Sequence, residues 1–154
     1  MHLYILRHAN ADTEAATDSA RELSEKGREQ AREVAQFCAQ HGIRPDVIFA
    51  SPLIRAQQTA KPVAKELGLE ITTAPWLACG ATPEGICAQL AMLKNADAVM
   101  LVGHQPDLGE LVAHLLAASS DSINVRKASL TLVEVTVPRR GGGHLEFSIP
   151  ARMM

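Results

Sequence analysis

Three continuous apolar runs constrain this chain more than anything else in it. Residues 2–6, 47–50 and 98–102 read His-Leu-Tyr-Ile-Leu, Val-Ile-Phe-Ala and Ala-Val-Met-Leu-Val. They do not alternate with polar residues, which is the pattern of parallel strands buried on both faces. A sheet buried on both faces needs helices on both sides, and the stretches between the runs supply helical patterns.

The first helix is expected from an N-cap at Ser24 to about His41, with Ala31, Val34, Ala35 and Cys38 forming one buried stripe and Gly42 ending it. Ser51-Pro52 reads as a second helix start, with Ser51 as N-cap and Pro52 at the first helical position. Leu53, Ala56, Ala60, Val63, Ala64 and Leu67 fit its buried face, and Gly68 ends it. Pro62 is expected to bend or interrupt it. A third strand is expected over 70–73, an irregular stretch over 74–82 and a helix near 83–94. Pro106 opens a last helix carrying Leu108, Leu111, Val112, Leu115 and Leu116. Residues 119–128 read as a polar connector. Residues 130–137 alternate as a sheet-edge strand does, and 145–149 can pair back on them. The expectation is a three-layer α/β/α fold in a single domain over 1–154. Its sheet is mostly parallel, with helices on both faces and a C-terminal antiparallel hairpin.

Residues 9–24 are polar and small without a period, and read as a long loop, which in a compact domain is usually functional or disordered. With a net charge of −2, general nucleic-acid or membrane-surface binding is not expected. No apolar run approaches the roughly 18 residues of a membrane span, and the first residues lack a signal-peptide pattern. Cys38, Cys79 and Cys87 are odd in number and without a CxxC spacing. They read as free thiols in a reducing, cytoplasmic setting, not as a disulfide framework or zinc site. A monomer is the expected state.

The chemistry sits where the strands run out. The first run ends in Arg7-His8, the second leads into Ser51 and Arg55, and the third ends in Gly103-His104. Parallel strands put these ends on one edge of the sheet, where such folds bind ligands. Two arginines and two histidines so gathered suit phosphoryl transfer. Arginine offers planar bidentate donors to phosphate. A neutral imidazole can attack phosphorus, and neighbouring guanidinium groups help keep it neutral. His8 is the expected nucleophile, with Arg7, Arg55 and His104 donating to the phosphoryl oxygens. His2, His41, His114 and His144 are most simply surface or core residues, and Arg126-Lys127 solvated charges that could border the pocket.

These stretches resemble a known family. Leu6-Arg7-His8-Ala9 is similar to the Arg-His signature of the histidine phosphatase superfamily, the phosphoglycerate mutase-like branch 1. Residues 51–60, Ser-Pro-Leu-Ile-Arg-Ala-Gln-Gln-Thr-Ala, resemble its second motif, and Val102-Gly103-His104 its third. Residues 18–24 and Gly103-His104-Gln105-Pro106 look most like the SixA-type phosphohistidine phosphatases. The resemblance implies a cofactor-independent phosphatase, with no metal, that forms a phospho-His8 intermediate. Its substrate would be a phosphorylated protein, such as a histidine-containing phosphotransfer domain. Arg7, Arg55 and His104 would form the phosphate pocket. Apart from the resemblance, Arg21 is expected either to bind substrate or to pair with a loop carboxylate, and Ser51 to contact phosphate only secondarily to its capping role.

One departure bears on substrate. Many relatives carry a glutamate as proton donor after the third strand; here that stretch is Trp76-Leu77-Ala78-Cys79-Gly80, with no acid until Glu84. Asp18 in the loop is the alternative general acid, although an N-cap or loop hydrogen bond suits it as well. An alkoxide leaving group needs a strong proton donor, whereas an imidazole, titrating near pH 6.5, does not. A site without a placed acid therefore favours phosphohistidine. A phosphatase of small phosphate esters and a non-catalytic phosphate- or phosphohistidine-binding module are the alternatives.

Overall fold

The computed structural model describes residues 1–154. Six strands form one sheet: β1 His2–Arg7, β2 Val47–Ala50, β3 Ile71–Thr73, β4 Ala98–Gly103, β5 Leu130–Val135 and β6 Gly143–Ile149, in the order β3-β2-β4-β1-β5-β6. Strands β1 to β4 run parallel, and β5 and β6 add antiparallel pairings beside β1.

The continuous apolar runs separate cleanly by face. Leu3, Ile5, Val99 and Leu101 pack into one core, Tyr4, Leu6, Met100 and Val102 into the other. Helices α1 (Glu25–Gln40) and α2 (Ile54–Leu67) cover the second face; α3 (Pro83–Ala91) and α4 (Asp107–Leu115) cover the first. The alternation of side chains along a strand thus gives the three layers expected.

Ser24 caps α1, its Oγ accepting from the Gly27 N–H at 3.1 Å. Two expectations need correction. The second helix starts at Ile54 rather than Pro52 and has no side-chain cap; Ser51 is used elsewhere. Pro62 does not interrupt it, for α2 is assigned as one helix from 54 to 67. Its buried face, including Ala60, Val63 and Ala64, holds it on the sheet. A third correction concerns β5, which is not an edge strand. It lies between β1 and β6, and Leu130, Thr131, Val133 and Val135 are buried; the edges are β3 and β6.

The 9–24 loop is closed at its base, not splayed. Ala11 bridges Leu23, the Asp12 N–H donates to Glu22 O, and the Ser24 N–H donates to Asn10 O. A Cβ at Gly27 would overlap the Asn10 carbonyl. Gly27→Ala is therefore expected to destabilise the protein by about 1–3 kcal/mol, the scale of an overpacked site, which chemical denaturation would measure.

Candidate active site

Register brings the expected residues together. Arg7 and Gly103 are paired across β1 and β4, so His8 and His104 follow at adjacent strand ends. The His8 N–H donates to Gly103 O at 3.0 Å, and the Ser51 N–H to Val102 O at 2.9 Å. The two imidazole centroids lie 5.3 Å apart. His8, Ser51, Arg55 and His104 are all buried, and Arg7 is half-buried.

The orientation of His8 is set by its neighbour. Its Nδ1 lies 2.8 Å from Ala9 O. A carbonyl can only accept, so Nδ1 carries the proton and Nε2 keeps the lone pair. Burial pushes the His8 ring down from 6.5 to about 3; the Ala9 bond opposes this, and His104, Arg55 and Arg7 add to the lowering. His104 is pushed down to about 4, again chiefly by burial, then by Arg55. Both rings are neutral at pH 7.

His104 Nε2 lies 2.7 Å from Ser51 Oγ. This corrects the reading of Ser51 as a helix cap: its hydroxyl anchors His104 and also accepts from the Leu53 N–H at 3.3 Å. Arg7 Nη1 donates to Val125 O at 2.9 Å. Arg7 Nε, Arg55 Nε and His104 Nδ1 are buried and have no partner in the chain. Unpartnered buried polar groups are uncommon in native proteins and costly. Two open guanidinium donors beside an open ring nitrogen form a cluster of the kind an oxyanion takes up.

The 9–24 loop reaches this cluster through a short turn at Asp18–Ala20. Arg55 Nη1 donates to Asp18 O at 2.7 Å and Nη2 to Asp18 Oδ2 at 2.9 Å. Arg21 Nη1 donates to Asp18 Oδ1 at 3.1 Å, and its Nε to Asp12 O at 2.7 Å. Hydrogen bonds from Arg21 and Arg55 hold the Asp18 carboxyl below the usual carboxylate range. As placed, both carboxylate oxygens of Asp18 accept from guanidinium groups. Arg21 pairs with this loop carboxylate.

In the irregular stretch after β3, Cys79 Sγ lies 3.7 Å from Arg55 Nη2, and burial raises its thiol pKa. The neighbouring Asp107 is engaged as a backbone acceptor: its Oδ2 takes the Gly80 and Ala81 N–H groups at 2.8 and 3.3 Å. No group of three or more His, Cys, Asp or Glu is disposed to hold a metal ion. Sequence reasoning overlooked Thr59. Its Oγ1 accepts from the Ala9 N–H at 3.0 Å and donates to Arg55 O at 2.7 Å, tying the residue after the nucleophile candidate to α2. The signal was present, since Thr59 stands one helical turn after Arg55.

Residues 3–78 match the profile of the histidine phosphatase superfamily (branch 1). The phosphohistidine phosphatase SixA homolog of Haemophilus influenzae is 34% identical over 126 residues, covering 75% of this chain and 77% of that protein. This chain belongs to the histidine phosphatase superfamily. Phosphohistidine phosphatase SixA of Escherichia coli is 29% identical over 157 residues, covering 97% of this chain and 93% of that one. A solved structure of the protein histidine phosphatase SixA complexed with tungstate superposes with a TM-score of 0.88 at 25% identity, covering 99% and 98% of the two chains. Within this histidine phosphatase domain, no helix is long and apolar enough to cross a membrane.

The two neutral histidines make stability depend on pH. Unfolded, each ring titrates near 6.5; folded, they hold out to about 3 and about 4. Above pH 6.5 neither state binds the proton. Below it the unfolded chain gains protons that the folded chain refuses, so stability falls with pH toward 4. The slope approaches about 1.4 kcal/mol per pH unit for each histidine. Thermal unfolding between pH 7 and 4.5 should show this loss, and His104→Gln should lessen it.

Proposed function

We propose that the chain is a phosphohistidine phosphatase that works through a phospho-His8 intermediate without a cofactor. His8 Nε2 attacks phosphorus as the substrate's P–N bond breaks; the substrate ring, protonated on its other nitrogen, keeps the bonding pair and leaves as neutral imidazole. Arg7, Arg55 and His104 donate to the phosphoryl oxygens as charge spreads over them. With Ser51 donating to His104 Nε2, the ring proton sits on Nδ1, the atom without a partner in the chain. Water then cleaves the phospho-His8 bond, releasing inorganic phosphate and restoring the imidazole. The tungstate held by the solved SixA structure is a tetrahedral oxyanion, and a like anion here would meet the open nitrogens of Arg7, Arg55 and His104.

The observation that carries the substrate class is the state of Asp18. Its carboxylate is paired with two guanidinium groups, whose hydrogen bonds hold it below the usual carboxylate range, an arrangement poorly suited to protonating an alkoxide. A phosphohistidine ring protonated on its other nitrogen makes no such demand, since it leaves as neutral imidazole, whose conjugate acid titrates near 6.5. The names of the SixA relatives favour the same class. A phosphorylated protein such as a histidine-containing phosphotransfer domain is the partner this reading calls for, and three free thiols suit a cytoplasmic setting.

Parallel assays on a phosphohistidine-bearing protein and on a panel of sugar and nucleoside phosphates test the proposal. Faster hydrolysis of the phosphohistidine protein is the expected result. A clear preference for esters would overturn it, and binding without hydrolysis of any substrate would leave only a phosphate-binding module.

A further inference from the structure

Beside the phosphate arginines lies a second feature that catalysis on a lone phosphoryl group does not use. A cavity of about 520 Å³ is lined by Arg7, the start of α1, the 124–127 segment and the turn after β6. Five of its ten lining residues are cations, Arg7, Lys26, Arg126, Lys127 and Arg152, and none is acidic. That is opposite in sign to the chain's net charge of −2. The chain's ion pairs are Arg21–Asp18, Arg28–Glu22, Arg55–Asp18 and His114–Glu84, so no internal carboxylate neutralises these five.

The cavity is built onto the site. Arg7 Nη1 donates to Val125 O at 2.9 Å, and the Ala128 N–H donates to Arg7 O and His8 O at 3.1 and 3.3 Å. The 124–128 segment is thereby pinned to the end of β1. Lys127 Nζ donates to Asn10 Oδ1 at 3.1 Å. Burial, then the charges of Arg7, Arg21 and Lys26, lower the Lys127 pKa, as mutually repelling cations do. Lys26 also stands in the first turn of α1, where the partial positive charge of the helix end makes a lysine unfavourable. Each of these arrangements costs stability and strengthens attraction for an anion.

We infer that this cationic cavity is a substrate subsite that takes acidic side chains flanking the phosphorylated histidine of a protein substrate. The inference rests on the phosphohistidine reading and names what selects among phosphohistidine proteins. The phosphoryl group meets Arg7 and Arg55 while a carboxylate on the same polypeptide meets Lys26, Arg126 and Arg152 beside Arg7.

Two synthetic phosphohistidine peptides test it, identical except that flanking Asp and Glu in one are Asn and Gln in the other. The wild-type protein is expected to hydrolyse the acidic peptide with a kcat/KM about tenfold higher, the scale of a few exposed ion pairs acting together, through a lower KM. The preference should shrink as salt screens it. In the variant combining Lys26→Gln, Arg126→Gln and Arg152→Gln the ratio should fall to about one. Both rates come from the same preparation, so partial misfolding lowers both and leaves the ratio intact. Equal rates for wild type, or an unchanged preference in the variant, overturn the subsite alone. Hydrolysis of neither peptide by wild type overturns the phosphohistidine reading and the subsite with it.

Discussion

His8→Ala is expected to lose on the order of 10⁶ in kcat, the scale on which a covalent hydrolase fails when its nucleophile is removed. The residue has no substitute nearby. His104 is the neighbouring imidazole, 5.3 Å away between centroids, and its Nε2 is engaged with Ser51. Phosphate transferred to the wild-type enzyme should be trappable as a phosphoenzyme that is labile in acid and stable in alkali, the behaviour of a phosphoramidate. Quenched-flow labelling followed by peptide mapping would find it on residue 8. Label on another side chain would refute the mechanism even if His8→Ala were inactive.

Arg55→Ala should cost about 2.7–4 kcal/mol of transition-state stabilisation, the range for one lost oxyanion donor, or roughly a hundredfold to a thousandfold in kcat/KM. Arg55 is nearly fully buried, and it holds the Asp18 backbone and carboxylate through two hydrogen bonds. Its loss therefore removes a phosphate donor and releases the loop turn at once. Arg55→Lys separates the two effects. It keeps the charge without the fork, so it should recover only a small part of the rate, because a lysine cannot serve two oxygens in one plane. Steady-state kinetics on a phosphohistidine protein would measure both variants; a rate for Arg55→Ala within a few-fold of wild type would contradict the assigned role.

The layers of the fold were legible because burial leaves a simple imprint. Leu3 to Leu6 and Val99 to Val102 are apolar at every position, and every one of those residues is buried. The clustering of Arg7, His8, Arg55 and His104 was legible for the same reason: parallel strands deliver their ends to one edge. What stayed hidden depends on contacts between distant positions. The Ser51 hydroxyl reads locally as a helix cap, and only the register of β2 on β4 brings it to His104. Pro62 reads as a break, but packing of α2 over the sheet overrides its local preference. The alternating pattern of β5 reads as an edge, whereas the edges are β3 and β6. For Asp18, the sequence alone does not show that two arginines, one of them far along the chain, hold its carboxylate.

The central position of β1 has a consequence for how the protein breathes. Both of its edges are filled by strands from the second half of the chain, with Arg7 opposite Gly103 and Leu6 opposite Leu130. The His8 amide is bonded to Gly103 O. Fraying of the loops or of the β6 edge cannot expose that amide; separating β1 from β4 can, and that takes the sheet apart. In native-state hydrogen exchange the His8 amide should thus be among the slowest in the chain, with a protection free energy near that of global unfolding, while Asp18 and its turn exchange quickly. The nucleophile would stand on the most rigid part of the molecule and face its most mobile one.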